Sequence, residues 1–217
     1  MADQKILIIG SGFAAAANLI HLVEAGIKPS QIIIVGPGQL GRGNAYGCDD
    51  DDFRLNVRAN LMWIWPDRRD DFGNWAKTNI TDDEDAMRHS GMFYRRRDFG
   101  RYVVSRVDAV LAGAGEQDHA ITHYPQIVTK LGKIDQGGWQ AECSDGRLIR
   151  ADLVLLATGN PPPQWPCPIH GETAQLPKLE NRLVQNPWNG QWLDHLPAQS
   201  RLAIIGGGLT ALDAVTA

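Results

Sequence analysis

The chain has 217 residues, 43% of them hydrophobic and 21% charged, with a formal net charge of -4. That is enough for a sizeable core and one or two domains of ordinary globular composition. The acidic balance speaks against a general nucleic-acid binder, and no apolar run is long enough to span a membrane as a helix. Ile6 to Ile9 is too short for the apolar part of a signal peptide and runs straight into a glycine motif.

From Lys5 the chain reads as a short apolar strand that ends at Gly10, followed by Gly12 and by Ala15 at the third small position. An alanine-rich segment then reads as a helix to about residue 26, with Pro29 just beyond. Strand, tight turn and helix form the first half of a βαβ unit that binds a dinucleotide. Gly10 permits the sharp turn, Gly12 lets the backbone approach a pyrophosphate, and Ala15 lets helix and strand pack closely. The helix N-terminus offers N–H groups and a partial positive charge to phosphates. Residues 31–35 form a second, β-branched strand, expected to be buried on both faces of a parallel sheet. The fingerprint calls for an acid at its end to hold a ribose hydroxyl, and here stand Gly36 and Pro37.

Residues 38–47 are glycine-rich. They read as a flexible loop or as a loop that closes over a cofactor, with Arg42 pairing a phosphate. The acidic run Asp49 to Asp52 reads as a solvated loop, since no His or Glu stands at ligand spacing. Residues 53–57 look extended, and Trp63 and Trp65 suit a core or an interface. Residues 70–78 read as a short helix with Phe72 and Trp75 on one face. The basic cluster Arg95, Arg96, Arg97 and Arg101 reads by default as the solvated start of a helix, with an arginine reaching a phosphate or substrate as the alternative. Apolar spacing predicts an amphipathic helix over 98–112, ended by Gly113 and Gly115.

The period then changes. Residues 119–124, 126–131, 139–143 and 148–150 are β-like runs, with hairpin signals at Gly137–Gly138 and Asp145–Gly146. They predict a β-meander inserted before another buried strand over 152–156. That strand ends in Ala157, Thr158 and Gly159, small residues that allow a ligand close to the backbone. Residues 160–199 are proline-rich but carry Trp165, Trp188 and Trp192, which suits an ordered connector. At 201–211 the opening pattern returns: an apolar run, Gly206, Gly208 and Ala211, then a helix. A complete βαβ unit takes ~30 residues. The chain stops at Ala217, so it is expected to be a fragment of a longer protein, cut within its second nucleotide unit. Cys48, Cys143 and Cys167 are far apart and form no Cys-x-x-Cys, as expected of reduced thiols in a cytoplasmic protein and not of a dithiol or zinc site.

The order of these elements resembles the FAD/NAD(P)-binding proteins of the YdhS-like type, within the flavoproteins that have two dinucleotide-binding domains. The elements are Gly10-x-Gly12-x-x-Ala15, the loop from Gly41 to Gly47, Leu55-Asn56-Val57, Ala157-Thr158-Gly159-Asn160, and Gly206-x-Gly208 running on to Asp213. The resemblance spans nearly the whole chain, and the Gly-Arg-Gly-x-Ala-Tyr and Leu-Asn-Val elements are its most specific parts. It implies an α/β fold: a Rossmann-like FAD-binding domain over 1–160 with a parallel sheet and an inserted β-meander, a connector over 161–200, and the start of a second Rossmann-like unit over 201–217. It further implies FAD on Gly10, Gly12, Phe13, Ala14 and Ala15, with Gly36 in place of the ribose-binding acid. Arg42, Asn44, Ala45, Tyr46 and Asn56 would lie near the flavin, and the Val128 backbone would hold the adenine. Ala157, Thr158 and Gly159 would pack on the cofactor's other side, and Gly206, Gly208 and Ala211 would begin an NAD(P)H site.

The function implied is a flavoprotein oxidoreductase, or its FAD-binding part, with hydride passing from NAD(P)H to the flavin. The reduced flavin would then serve a monooxygenase reaction or pass electrons to an acceptor. No catalytic acid or base is demanded. His21, His89, His119, His123, His170 and His195 are scattered and suit surface or core roles. The partner expected is a small-molecule substrate or electron acceptor, neither nucleic acid nor membrane. The reading of a different class is a nucleotide-binding or interaction module without turnover.

Overall fold

The computed structural model describes residues 4–115, 121–135, 137–161, 163–166, 168, 183–189, 192–197 and 199–216. Its centre is a four-stranded parallel sheet of β1 (Ile6–Ile9), β2 (Ile32–Val35), β5 (Thr122–Tyr124) and β9 (Leu153–Leu156), in the order β5-β2-β1-β9. Ile6 stands opposite both Ile32 and Leu153, so β1 is hydrogen-bonded on both sides. Its four apolar residues are all buried, as a central parallel strand covered on both faces requires.

Side chains alternate along β1 and face two different layers. Ile8 packs with α1 (Phe13–Glu24) and α4 (Arg96–Gly115), together with Leu19, Phe72, Phe99, Tyr102 and Val103. Leu7 and Ile9 face the other way, onto Ala141, Cys143, Ile149 and Ala151. Those residues belong to an antiparallel sheet of β6 (Val128–Lys133), β7 (Trp139–Cys143) and β8 (Leu148–Ala151). Each fully buried aliphatic side chain contributes roughly 1.5–3 kcal/mol. The parallel sheet with an inserted antiparallel layer is the expected fold class.

Four details depart from the sequence reading. The run expected to open the meander instead joins the main sheet, because β5 pairs in parallel with β2 through Ile33–Thr122 and Val35–Tyr124. A strand this short carries no period that separates the two sheets. Strand β9 lies at the sheet edge, and its end residues Leu153 and Leu156 are exposed, since it has a strand neighbour on one side only. Residues 201–205 form no strand, and Leu202, Ile204 and Ile205 are exposed. A lone extended segment without a ladder partner has no means of becoming one. The helix after it does form, as α5 (Leu209–Thr216).

The fourth departure concerns the arginines. Arg95 and Arg96 are buried, where a solvated helix start was expected. Two acidic stretches close over this end of α4. Arg95 stands 3.1 Å from Asp82, 3.6 Å from Asp51 and 3.9 Å from Asp83, and Arg97 reaches Asp51 at 2.7 Å. Arg54 adds a bidentate pair with Asp83 at 2.9 and 3.2 Å. Paired carboxylates are what let guanidinium groups leave water. The acidic run at 49–52 is therefore a clasp as well as a solvated loop.

Helix α4 starts two residues before the expected point and continues through both closing glycines. Helix α3 (Asp71–Asn79) lies where the spacing places it, with Phe72 stacked on Trp75 and set edge-on to Phe99. Trp65 is buried and donates to Glu24 at 2.7 Å, in keeping with a core role. Cys48 and Cys143 are buried and carry no disulfide, while Cys167, His119, His170 and residues 169–182 of the expected connector lie outside the described residues. Among the described residues no helix is long and apolar enough to cross a membrane.

Asp71 ties α3 to α4. It accepts from the Tyr102 hydroxyl at 2.7 Å and from Arg106 at 2.8 and 2.9 Å. Burial alone raises its carboxyl, but the bonds from Arg106 and Tyr102 outweigh burial and hold it below the usual carboxylate range. A pKa lowered by folding contributes stability above the unfolded value of ~3.9 and loses it as pH falls through the folded value. Asp71→Asn should cost about 1–2 kcal/mol at neutral pH. In thermal melts, the gap between wild type and variant should shrink below about pH 4.

Candidate functional site

The carboxyl ends of β1, β2 and β9 converge on a point where backbones approach too closely for side chains. Gly10 has φ +129°, and a Cβ there would stand 2.1 Å from the Ala157 carbonyl oxygen. A Cβ at Gly36 would stand 2.4 Å from the Gly10 carbonyl carbon and 2.5 Å from the Ser11 nitrogen. These contacts are held by the Gly10 N–H donating to Val35 at 2.7 Å, the Ala157 N–H to Ile9 at 2.8 Å, and the Gly36 N–H to Tyr124 at 3.1 Å. The acid missing at the end of the second strand now has a cause: no side chain fits at position 36.

The glycine-rich loop closes on the same point. The Gly41 N–H donates to the Ser11 carbonyl at 2.7 Å, and the Ser11 hydroxyl donates to Pro37. Gly43 has φ +53°, and a Cβ on it would stand 2.7 Å from the Gly12 Cα. Gly12 itself has an ordinary backbone, φ -80°, and its nearest neighbour is the Gly43 Cα at 3.6 Å from a built Cβ. Gly12 caps α1 without a side-chain hydrogen bond, and the first turn holds no acid. The leading N–H groups of α1 have no partner within the helix, and with no side chain across them they suit an anion. Ala15 is fully buried and packs the helix onto the sheet, Ala14 is exposed, and Phe13 is half-buried. An uncapped helix end beside a glycine turn is a cradle that fits a dinucleotide pyrophosphate.

Phe13 leads to the next part of the site. Its ring lies 6.3 Å from Tyr46 and 5.6 Å from Phe99, and Tyr46 meets Phe99 edge-on at 4.8 Å. Tyr46 ends α2 (Gly43–Tyr46), and burial pushes its phenol above the usual range. Helix α2 sits hard against α4 at Gly100, where a Cβ would stand 2.5 Å from the Tyr46 carbonyl oxygen. Sequence reasoning missed Gly100; a glycine inside an amphipathic helix was the available signal. Arg42 is turned inward on its own loop, donating to the carbonyls of Tyr46 at 3.2 Å and Gly47 at 3.5 Å and pairing with Asp49. Its evident work here is to shape α2. Asn44, Ala45 and Asn56 are exposed. The segment before Asn56 is pinned to the start of α4 by the Leu55 N–H on Tyr94 at 2.9 Å and the Arg96 N–H on Phe53 at 2.8 Å.

The remaining candidates separate into two groups. Thr158 and Gly159 follow Ala157 as an exposed strand exit, while Val128 is half-buried in the meander layer with Leu7, Ile9 and Val35. Gly206 has φ +119°, like Gly10, but Cβ atoms at Gly206, Gly207 and Gly208 would meet nothing within 4 Å among the described residues. The second turn is open where the first is closed. Ala211 donates to Gly208 at 3.0 Å as α5 begins. Two residues on, Asp213 is buried and bonded to Arg96 at 2.6 Å. Burial pushes the Asp213 carboxyl up, against the opposing pull of Arg96.

Known proteins share the fold. The OTEMO structure in complex with FAD and NADP superposes with a TM-score of 0.50 at 16% identity, covering 75% of this chain and 26% of that one. A flavin monooxygenase from Stenotrophomonas maltophilia gives 0.49 at 16% identity, covering 71% and 38%. The chain thus spans well under half the length of these neighbours, and the likeness to the OTEMO structure is one of fold. No curated protein matches the chain. The family model described as FAD-NAD(P)-binding matches residues 7–161. The chain belongs to the FAD-NAD(P)-binding family.

Proposed function

We propose that the chain is the FAD-binding part of a flavoprotein oxidoreductase, of the YdhS-like type that its motifs resemble. The observation that carries this reading is the cradle at the carboxyl ends of β1, β2 and β9, where Gly10, Gly36 and Gly43 leave no room for side chains around an uncapped α1. When bound, FAD supplies the hydride and electron chemistry. The chain's own residues bind and orient: the N–H groups of Gly12 to Ala15 receive the pyrophosphate, and Phe13 and Tyr46 form an apolar wall beside it. Val128, Thr158, Gly159 and Asn56 are assigned to further contacts by the resemblance. The second turn, Gly206 to Ala211, is assigned to NAD(P)H. The same reading takes 1–160 as the FAD domain, 161–200 as a connector and 201–217 as the start of a second nucleotide unit. It expects a cytoplasmic protein acting on a small-molecule substrate or acceptor.

One observation favours the alternative, a nucleotide-binding module without turnover: among the described residues, 201–205 join no strand and are exposed. The two readings part in the cuvette. Purified protein should carry or take up one FAD per chain and show the flavin absorption band; failure to take up added FAD sinks both the cofactor assignment and the enzyme. In the full-length protein, where the second nucleotide unit is complete, anaerobic NADPH or NADH should bleach that band if it is an oxidoreductase, and an unbleached band there favours the binding module.

The two glycines of the first turn should behave differently. Gly12→Ala introduces a side chain at an allowed φ with only an ordinary contact at 3.6 Å, so the melting temperature should hold. Its methyl group stands where the pyrophosphate must approach, so FAD affinity should fall by about tenfold or more. Gly10→Ala meets the Ala157 carbonyl at 2.1 Å in a left-handed backbone and should fail to fold stably. Equal FAD affinity in Gly12→Ala and wild type contradicts the pyrophosphate assignment.

A further inference from the structure

Helix α5 is built inside out. Leu209, Leu212 and Val215 are 57%, 59% and 70% exposed, whereas Asp213 is 7% exposed. Burial of apolar surface does not set the position of such a helix. What meets it on its inner side is Arg96, itself 6% exposed, whose Nη2 donates to the Asp213 carboxylate at 2.6 Å across 117 residues of sequence.

Arg96 does more than hold α5. Its Nε donates to the Arg54 carbonyl at 2.9 Å, two residues before Asn56. Its guanidinium carbon lies 5.8 Å from the Trp188 ring centroid. Trp188 sits in a 3-10 turn (Pro187–Asn189) that packs against both α2 and α5. One planar fork therefore joins the helix of the second glycine turn to the segment at Arg54–Asn56, and the neighbouring turn joins that helix to α2. Of these, α2 borders the first glycine turn through Gly43 on Gly12, and the resemblance assigns Asn56 to the flavin. A guanidinium can bond two oxygens at fixed angles; an ammonium cannot reproduce that fork.

We propose that Arg96 and Asp213 are positioning residues: a latch that docks the second glycine turn against the first nucleotide unit and makes occupancy of the two sites interdependent. The coupling rests on the reading that both turns hold nucleotides; the docking does not. Because Arg96 bonds to both sides, any shift of α5 on filling the second turn alters the walls of the first. By linkage the effect is reciprocal.

The test uses the full-length protein, in which the second nucleotide unit is complete, FAD and NADP+ alone, and two kinds of readout. In hydrogen exchange, Asp213→Asn should speed the amides of 209–216 by about tenfold while those of β1 and β2 keep their protection. FAD affinity is then measured with and without saturating NADP+. Wild type should show a ratio of about fivefold or more from unity, and Asp213→Asn a ratio near one. Arg96→Lys keeps the charge but loses the fork, so it should keep the protection of 209–216 while its ratio falls toward one. Unchanged exchange in Asp213→Asn overturns the docking, and a wild-type ratio of one, or a ratio that survives Asp213→Asn, overturns the coupling. Absence of FAD binding in wild type removes the proposed function and the coupling with it, while the exchange result still judges the docking.

Discussion

The structure depends on how closely three backbone segments meet at the carboxyl ends of the parallel strands. Gly10, Gly36 and Ala157 pack main chain against main chain, with built Cβ distances of 2.1–2.8 Å to carbonyl and amide atoms. Nothing larger than hydrogen is admitted at the two glycines. The sheet register makes the meeting possible: Ile9 stands level with Val35 and Leu156, so all three strands end together. The N–H of Gly10 and of Ala157 are consumed in bonding the neighbouring strands. Those of the α1 N-terminus are left to face outward, toward anything that carries an anion.

This packing also reshapes the usual division of labour around a dinucleotide. An acid after the second strand ordinarily takes the ribose hydroxyls. Here that position is filled by the back of the first turn, and Gly43 approaches Gly12 from the other side. The loop has exchanged a side-chain contact for close coverage by main chain. Two hydrogen bonds fix that cover: the Ser11 hydroxyl on the Pro37 carbonyl, which needs a hydroxyl side chain, and the Gly41 N–H on the Ser11 carbonyl, which any residue could make. Gly36, Gly41 and Gly43 each meet close neighbours in this cover, whereas Gly38 faces open space among the described residues.

How much of this could be read from sequence differed by type of interaction. Strands β1 and β2, helices α1 and α3 and the meander hairpins follow from local periodicity and turn residues, and they appear within a residue or two of the expected places. Gly10 is legible because a glycine at that strand end encodes backbone geometry directly, as its φ of +129° shows. Strand β5 was assigned to the wrong sheet because its partner β2 lies about 90 residues away, and three residues carry no information on that pairing. The arginines were misjudged for the same reason. Their charge suggested solvent, but Asp51, Asp82, Asp83 and Asp213 reach them from distant segments, and only the folded chain assembles that many carboxylates around one helix start.

That assembly explains why charge, not apolar burial, governs the region between the two glycine turns. A buried ion pair seldom adds much stability, since losing water costs both partners nearly what their attraction returns. The upward shift of the Asp213 carboxyl is a sign of that cost. What such a pair does well is specify geometry, because a bonded guanidinium at 2.6 Å tolerates little displacement before leaving two charges buried and unmatched. An apolar contact between α5 and α4 would allow sliding at small cost. Placing Arg96 and Asp213 there fixes where the second glycine turn stands while leaving its glycines open, with no atom near their missing side chains. The closed first turn and the open second turn are thus held in one frame by a contact whose energetic return is small and whose geometric tolerance is narrow.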